Sequence, residues 1–537
     1  MKKSSFLIAI AALVCTSTTI LHAEPPKREL LPDKTAPIGA WDMVPFQRFN
    51  GKFNVGVVAF HETGLSVAFS VNGEKRPVVE EPTFNPQANV WEYWIELDAT
   101  KLPAGEVTLG ALLKPKGEGH LEKELDPLIL YSDPKGDLAG ETVYVDAKNG
   151  SDDTADGSEK KPFQSLAKAV VAAGDGGTVL MKPGEYVPNF VEGRNEQRAY
   201  WTILSPALGV ERDDVVIMPG RPFTNKICFR NLSMCAVEGN SWILQGSGRG
   251  NIIWVDNCRM WTQEPLRGNL LNAQTDRLYV TGGVTEKMQN GPDSSDTFIK
   301  DHLMKDIAED SFRNRVTAIN CTIDGVDAGR FTGIYHPDFF QPRVGQEIET
   351  EGVIMYNVRA LRSRQQIFSF RDIINSAFVN VLADTPDDGS PELSQFAQRL
   401  HHVLIWNVVL HRQPIYFRDD SRWKNPLDFR GTYMENMIVD REIFGGEAET
   451  THRDVMLQNI LVGRKRPTWE ALFAPRNLIV GTPAFEAPEA GDFRLVPSSP
   501  GYRQGVALPG VPADINGVPF DPAHPDLGCF STAQPKK

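Results

Sequence analysis

Residues 354–360 read IMYNVRA, 377–383 AFVNVLA, 404–410 LIWNVVL and 433–439 YMENMIV. Each segment sets apolar residues before an asparagine and alternating apolar residues after it. The pattern also occurs in CFRNLSM (228–234), WVDNCRM (254–260), TAINCTI (317–323) and MLQNILV (456–462). The asparagines are Asn231, Asn257, Asn320, Asn357, Asn380, Asn407, Asn436 and Asn459, spaced 26, 63, 37, 23, 27, 29 and 23 residues apart. A period in the twenties marks a solenoid, in which one coil of chain stacks on the next. Equivalent residues then lie about 4.8 Å apart along a parallel sheet. Stacked amides can pass hydrogen bonds down the column, because each both donates and accepts. The residues one and three places after each asparagine are mostly apolar (Val358 and Ala360, Val381 and Ala383, Val408 and Leu410, Met437 and Val439) and should point inward. The pattern predicts an all-β chain built as a right-handed parallel β-helix.

Residues 1–23, MKKSSFLIAIAALVCTSTTILHA, have the plan of a secretory signal. Lys2 and Lys3 supply the charge, Phe6 to Val14 the apolar run, and Leu21-His22-Ala23 the cleavage site. The expected location is therefore secreted or periplasmic. No later stretch approaches the ~20 apolar residues that span a bilayer. The formal net charge of −13 becomes more negative once the two lysines are removed. Such a charge argues against nucleic acid or anionic membrane as a general partner. Between residues 359 and 430, however, Arg and Lys outnumber Asp and Glu. That local basic stripe fits either an anionic ligand or ordinary surface arginine.

Cys228, Cys235, Cys258, Cys321 and Cys529 follow the signal, and an odd number leaves at least one thiol unpaired. Cys258 and Cys321 each follow a ladder asparagine. They should face the interior, either stacked as small core residues or joined across rungs. The absence of CxxC and HExxH makes a structural zinc site improbable.

Residues 24–35 read as a linker. In 36–133, the segments KFNVGVVAF, LSVAFSVNG, WEYWIEL and EVTLGALLK alternate or run apolar between turn residues. This predicts a small N-terminal antiparallel β-sandwich of immunoglobulin or fibronectin type. Trp91 and Tyr93 should share one face of its WEYWIEL strand and Trp94 the other, chiefly as core. The solenoid is expected over 141–482, with a C-terminal closing segment over 483–537.

The solenoid opens with YVDAKNGSDDTADGSEKKPFQSLAKAVVAAGDGGTVLMKPGEYV, residues 144–187. A strand leads to an acidic, glycine-rich loop, then a helix, then a strand. Leu166, Ala169, Val170 and Ala173 share one helical face, which can cover the solenoid's open apolar end, and Gly174 can end the helix. This stretch resembles the amino-terminal cap of secreted bacterial proteins with pectate-lyase-like right-handed β-helices. GDFRLVPSSPGYRQG and DINGVPFDPAHPDLGCF, near the other end, resemble the closing segment of such proteins. The resemblance covers about 144–530. It implies a site on an outward sheet face midway along the solenoid, with a sugar chain lying across several rungs. The polysaccharide lyases, glycoside hydrolases and uronate epimerases of this superfamily are built so.

The sharpest motif in that region is GIYHPDFFQP, 333–342. In an extended strand His336 and Asp338 project to one face, and a histidine beside a carboxylate is an acid/base pair. Gln341 can bond a sugar hydroxyl. The motif resembles His-x-Asp-x-x-Gln segments of some bacterial β-helix proteins. SFRD and YFRDD place Arg371 and Arg418 after a phenylalanine, with Arg399 in the intervening coil. These arginines either form an Arg–Asp ladder with Asp372 and Asp419 or hold an anionic ligand. Gln365, Gln366, Ser369 and Tyr416 are candidate substrate contacts. The fourth residues after the ladder asparagines, among them Asp324, Asp384, His411 and Asp440, read as solvated surface.

These residues lead to an exported enzyme that cleaves an acidic, uronate-containing polysaccharide by β-elimination. Arg371 and Arg418 would neutralise the uronate, His336 would take the proton and Asp338 would orient His336. The alternatives are a glycoside hydrolase with Asp338, Asp324 or Asp327 as carboxylates, and a non-catalytic sugar-binding scaffold. The NTD, DD and GHG set associated with polygalacturonases is absent, which weakens the hydrolase reading. Resemblance to pectate lyases leaves a calcium ion open as a cofactor, although their acidic clusters are not evident here.

Overall fold

The computed structural model describes residues 28–532, apart from 192–197, 224, 238–241, 245–250, 264–268, 272–276, 293, 327–336, 343–348, 365, 386–393, 419–426, 446–449 and 465–475. One parallel sheet system runs from the strand Thr142–Val145 to Arg476–Val480. It is a right-handed β-helix carrying a small antiparallel domain at its amino end.

Every ladder asparagine is left-handed, with φ between 51° and 58°. That conformation is disfavoured for most residues and tolerated by Asn, Asp and Gly. It turns the chain sharply between two strands of each rung. The side chains then bond in series. Asn257 donates to Asn231 over 2.8 Å, Asn357 to Asn320 over 3.1 Å, Asn380 to Asn357 over 3.0 Å, and Asn407 and Asn436 each to the preceding asparagine over 3.1 Å. The 63-residue gap holds two further rungs, turning at Gly282 (φ 59°) and Asp301 (φ 52°). Asn320 donates to Asp301 over 3.1 Å. Asn477 adds one more step beyond Asn459, at 2.9 Å.

The inward residues behave as their spacing requires. Val358, Ala360, Val381, Ala383, Val408, Leu410, Met437 and Val439 all lie in the solenoid core. Cys258 and Cys321 are there too, as free thiols. They do not stack, because Gly283 and His302 occupy the two rungs between them. The cap helix spans Leu166–Ala173, with Ser165 as its N-cap and Gly174 (φ 67°) ending it. Its buried face is Leu166, Ala169, Val170 and Ala173, as the spacing predicts.

Two outer faces of the solenoid are covered. Ile38, Val58, Phe60 and Val90 of the antiparallel domain pack on Trp254, Tyr279, Ile354, Leu404 and Tyr433, which lie three places before their turn residues. Leu382, Val409, Ile438 and Leu461, two places after theirs, pack on Phe493, Leu495, Ile515, Leu527 and Phe530. The carboxy-terminal segment therefore runs back along the solenoid's side, where the sequence suggested a closing element at its end. It also fastens to the ladder: Asn380 donates to the Ala513 carbonyl over 3.0 Å and Asn436 to that of Val506 over 2.7 Å. Tyr93 is buried in the antiparallel domain's own core, while Trp91 is half-buried and donates to the Gly517 carbonyl. No described residues of either flanking unit cover the third sheet as they do the other two.

Candidate functional site on the third sheet

The third sheet includes Phe312–Arg313 and Phe340–Gln341, then the first residues of Ser369–Asp384 and Ser394–His411, then Ile415–Arg418. Phe370, Phe396 and Phe417 are in register on successive strands, and so are Arg371, Ala397 and Arg418. Phe370 and Phe417 are buried in the solenoid core. Two backbone positions carrying arginine thus stand two strands apart, about 9.6 Å by the usual strand spacing, with an alanine between them.

A second polar ladder borders this sheet. Asn290 donates to Asn269 over 3.0 Å, the Asp310 N–H donates to Asn290 Oδ1 over 3.1 Å, and the Asp338 N–H donates to Asp310 Oδ1 over 3.1 Å. Asp338 bridges in turn to Gln366. Both aspartates are buried. Burial, reinforced by the neighbouring Asp338 charge, pushes the Asp310 carboxyl up to about 8, although Arg313 lies 3.4 Å away. Asp310 continues the column as an acceptor, taking the Asp338 N–H where an asparagine would present its amide oxygen.

Sequence reasoning missed Asp310, yet it left a signal. Asp310-Ser311-Phe312-Arg313 and Asp338-Phe339-Phe340-Gln341 are the same rung motif, paired Phe312 to Phe340 and Arg313 to Gln341. A pH test follows. The folded pKa is raised above the ordinary carboxylate value. Asp310 therefore favours folding most below about pH 4 and loses that contribution as pH rises towards 8. Asp310→Asn should raise the melting temperature at pH 8 relative to the parent, and change it less at pH 4. An equal shift at both values would mean that Asp310 is ionised in the folded protein.

The structure places the expected site residues unequally. His336 lies outside the described residues. Asp338 is not on an open face: only 1 % of it is exposed, and it belongs to the turn ladder. Arg371 and Arg418 are fixed by register alone. Gln341, Gln366 and Tyr416 are half-buried on the same sheet, Tyr416 in register with Gln395. Arg399 is held elsewhere, by Asp372 at 2.7 Å and Glu349 at 3.1 Å, so it follows the Arg–Asp reading. The column read as solvated surface is also revised in part. His411 is buried, 2.8 Å from Asp384 and 3.5 Å from Asp440, under Phe485 and Phe493.

No family model matches the chain, and no curated protein does. Among solved structures it is similar to a GH136 lacto-N-biosidase from Eubacterium ramulus, at 10% identity over 64% of this chain and 68% of that one, TM-score 0.30. A GH87 α-1,3-glucanase catalytic domain in complex with nigerose aligns at 13% identity over 84% and 86%, TM-score 0.31. A rhamnogalacturonan lyase aligns at 15% over 74% and 97%, TM-score 0.23. All three are named for action on carbohydrates. Scores this low carry no weight for substrate or residues. No described helix is long and apolar enough to cross a membrane.

Proposed function

We propose that the protein is an exported carbohydrate-active enzyme whose substrate is an extended acidic polysaccharide lying across the third sheet. The observation that supports this most is the Arg371–Ala397–Arg418 register on a sheet that no described residues of either flanking unit cover. Arginines two rungs apart can each meet a carboxylate on a sugar chain that crosses the strands, and a guanidinium suits that geometry bidentately. β-Elimination at a uronate needs the carboxylate neutralised as negative charge develops. Arg371 and Arg418 fill that role. His336, two residues before Asp338, takes the proton. Asp338 anchors the segment through its backbone bond to Asp310, so its part is positioning.

A glycoside hydrolase is the second reading; its carboxylates would have to lie outside the Asp310–Asp338 pair, which is buried.

The mature protein, assayed on pectins, alginates, glycosaminoglycans and sulfated algal glycans, should release an unsaturated product that absorbs in the ultraviolet. Reducing ends without that absorbance would select the hydrolase. Retardation in a sugar-affinity gel with neither product would leave a binding scaffold. His336→Ala should lower turnover on the order of 10²–10⁴-fold without loss of fold. Arg371→Ala should raise KM and lower kcat together, since neutralisation serves both ground and transition states. Unchanged turnover in His336→Ala would exclude the lyase mechanism.

A further inference from the structure

Where the antiparallel domain meets the solenoid, three imidazoles surround one carboxylate. His61 and Glu62 follow the strand Lys52–Phe60, His120 comes from the loop after Gly105–Pro115, and His402 lies in the solenoid strand Ser394–His411. His61 Nε2 is 3.5 Å from Glu62 Oε2, His402 Nε2 is 3.2 Å from the same oxygen, and His120 Nδ1 is 3.6 Å from Oε1. One donor atom each from His61, Glu62 and His120 lies within 4.8 Å of the others, and ligands about 2.0–2.1 Å from a tetrahedral zinc stand about 3.3 Å apart. The side chains of all four are at most 6% exposed.

The far side of the His402 ring decides its protonation. Asn375 donates its amide N–H to Glu351 over 2.9 Å, which turns its Oδ1 towards His402 Nδ1, 3.2 Å away. His402 Nδ1 must therefore carry the hydrogen. Its Nε2 then faces the Glu62 carboxylate as a lone pair unless a cation stands between them. His61 Nδ1 accepts from the Thr63 N–H over 3.2 Å and lies 2.8 Å from the Thr63 hydroxyl, which itself accepts from Gly117 N–H. A metal on His61 Nε2 would place the ring hydrogen on Nδ1, directed at that hydroxyl in place of the N–H contact. Metal-binding histidines are oriented in this way by a partner on the other nitrogen. His120 Nδ1 accepts from the Thr35 N–H over 3.2 Å, so it is unprotonated, and a metal there would displace that bond. The Thr35 hydroxyl, 3.1 Å from His61 Nε2 and 3.3 Å from His120 Nδ1, bonds Glu62 Oε1.

We propose that His61, Glu62, His120 and His402 bind a divalent transition metal, zinc by the donor set, in a closed structural site that pins the antiparallel domain to the solenoid. A cleft of about 450 Å³ lined by Arg28, Glu62, Thr63 and Lys116 gives the ion a way in. The site owes nothing to the carbohydrate reading and survives its failure.

Tag-free mature protein, stripped with chelator and reloaded with zinc chloride, should bind about one zinc per chain by elemental analysis. Stripping should lower the melting temperature and zinc should restore it. Cobalt should give the visible absorption of a tetrahedral centre. His402→Gln and Glu62→Gln should each abolish stoichiometric uptake with an unchanged far-ultraviolet spectrum. A folded parent chain that takes up neither zinc nor cobalt overturns the proposal and leaves a protonated histidine on Glu62. Uptake retained in both variants also overturns it, because the metal then sits elsewhere. Should the variants fail to fold, the parent titration and its cobalt spectrum decide.

Discussion

Lys300→Met should destabilise the protein by about 3–5 kcal/mol, the range for removing one partner from a buried ion cluster. Lys300 ends the strand Asp296–Lys300, and its ammonium lies 2.5 Å from Asp42 Oδ2. Glu92 completes the group, with Oε1 accepting from Asn85 over 2.7 Å. All three are buried where the antiparallel domain docks. Burial opposes the Lys300 charge, yet Asp42 and Glu92 together hold its pKa above the ordinary value. Burial raises both carboxyls; the Asp42 charge adds to it at Glu92, while at Asp42 the Lys300 ammonium works against it. Methionine keeps the length and removes the charge, which leaves two acids facing one another in an apolar seam. The fold has committed to this cluster: a Cβ on Gly56 would lie 1.9 Å from Glu92 Oε2, so no larger residue fits beneath it. Urea titration at pH 7 should show the loss. The gap between variant and parent should narrow at low pH, where both acids are protonated and the raised pKa values favour folding. Adding Asp42→Asn should recover part of the loss. A loss under about 1 kcal/mol would mean that water reaches the cluster.

The ladder was legible because one conformation and one bonding pattern both demand asparagine. Two rungs escaped the reading because Gly282 and Asp301 meet the conformational demand without the amide, and the cysteines were consequently set too close together. The cap helix was legible from its apolar face and its terminal glycine. Coverage of the outer faces was written in the sequence but went unread. Trp254, Tyr279, Leu404 and Tyr433 alternate with inward residues, as do Leu382, Val409 and Ile438, so these strands are apolar on both sides. A strand of that kind must be covered on both. Taking the fourth-position column as solvated surface ignored this, and His411 shows the consequence. The third sheet was read from His336 and the arginines, while the paired motif at Asp310 and Asp338 was overlooked because the Asp310 rung starts from Asp301 in place of a ladder asparagine. The histidine cluster at Glu62 could not be seen at all. Its members are scattered from residue 61 to residue 402, and only domain docking assembles them.

Asn407→Ala should lower stability by about 2–5 kcal/mol through two separable effects. Asn407 is buried, donates to Asn380 Oδ1 and accepts from Asn436 Nδ2, each over 3.1 Å. Losing both bonds inside the fold costs about 1–3 kcal/mol. Its φ of 53° adds about 1–2 kcal/mol, because alanine is strained there. Glycine removes the second effect and keeps the first. Asn407→Gly should therefore be milder than alanine, yet clearly weaker than the parent. Asn407→Asp keeps the conformation and the acceptor, but it sets a charged oxygen against Asn380 Oδ1. Its stability should fall as pH rises from the ordinary carboxylate range towards the raised folded pKa, since the protonated form alone can donate. Melting curves of the three variants from pH 4 to 8 would separate these terms. Were glycine as stable as the parent and alanine alone damaging, the asparagines would be serving their backbone angle alone, and the hydrogen-bonded column would be its by-product. Were glycine as damaging as alanine, the column itself would hold the rungs in register.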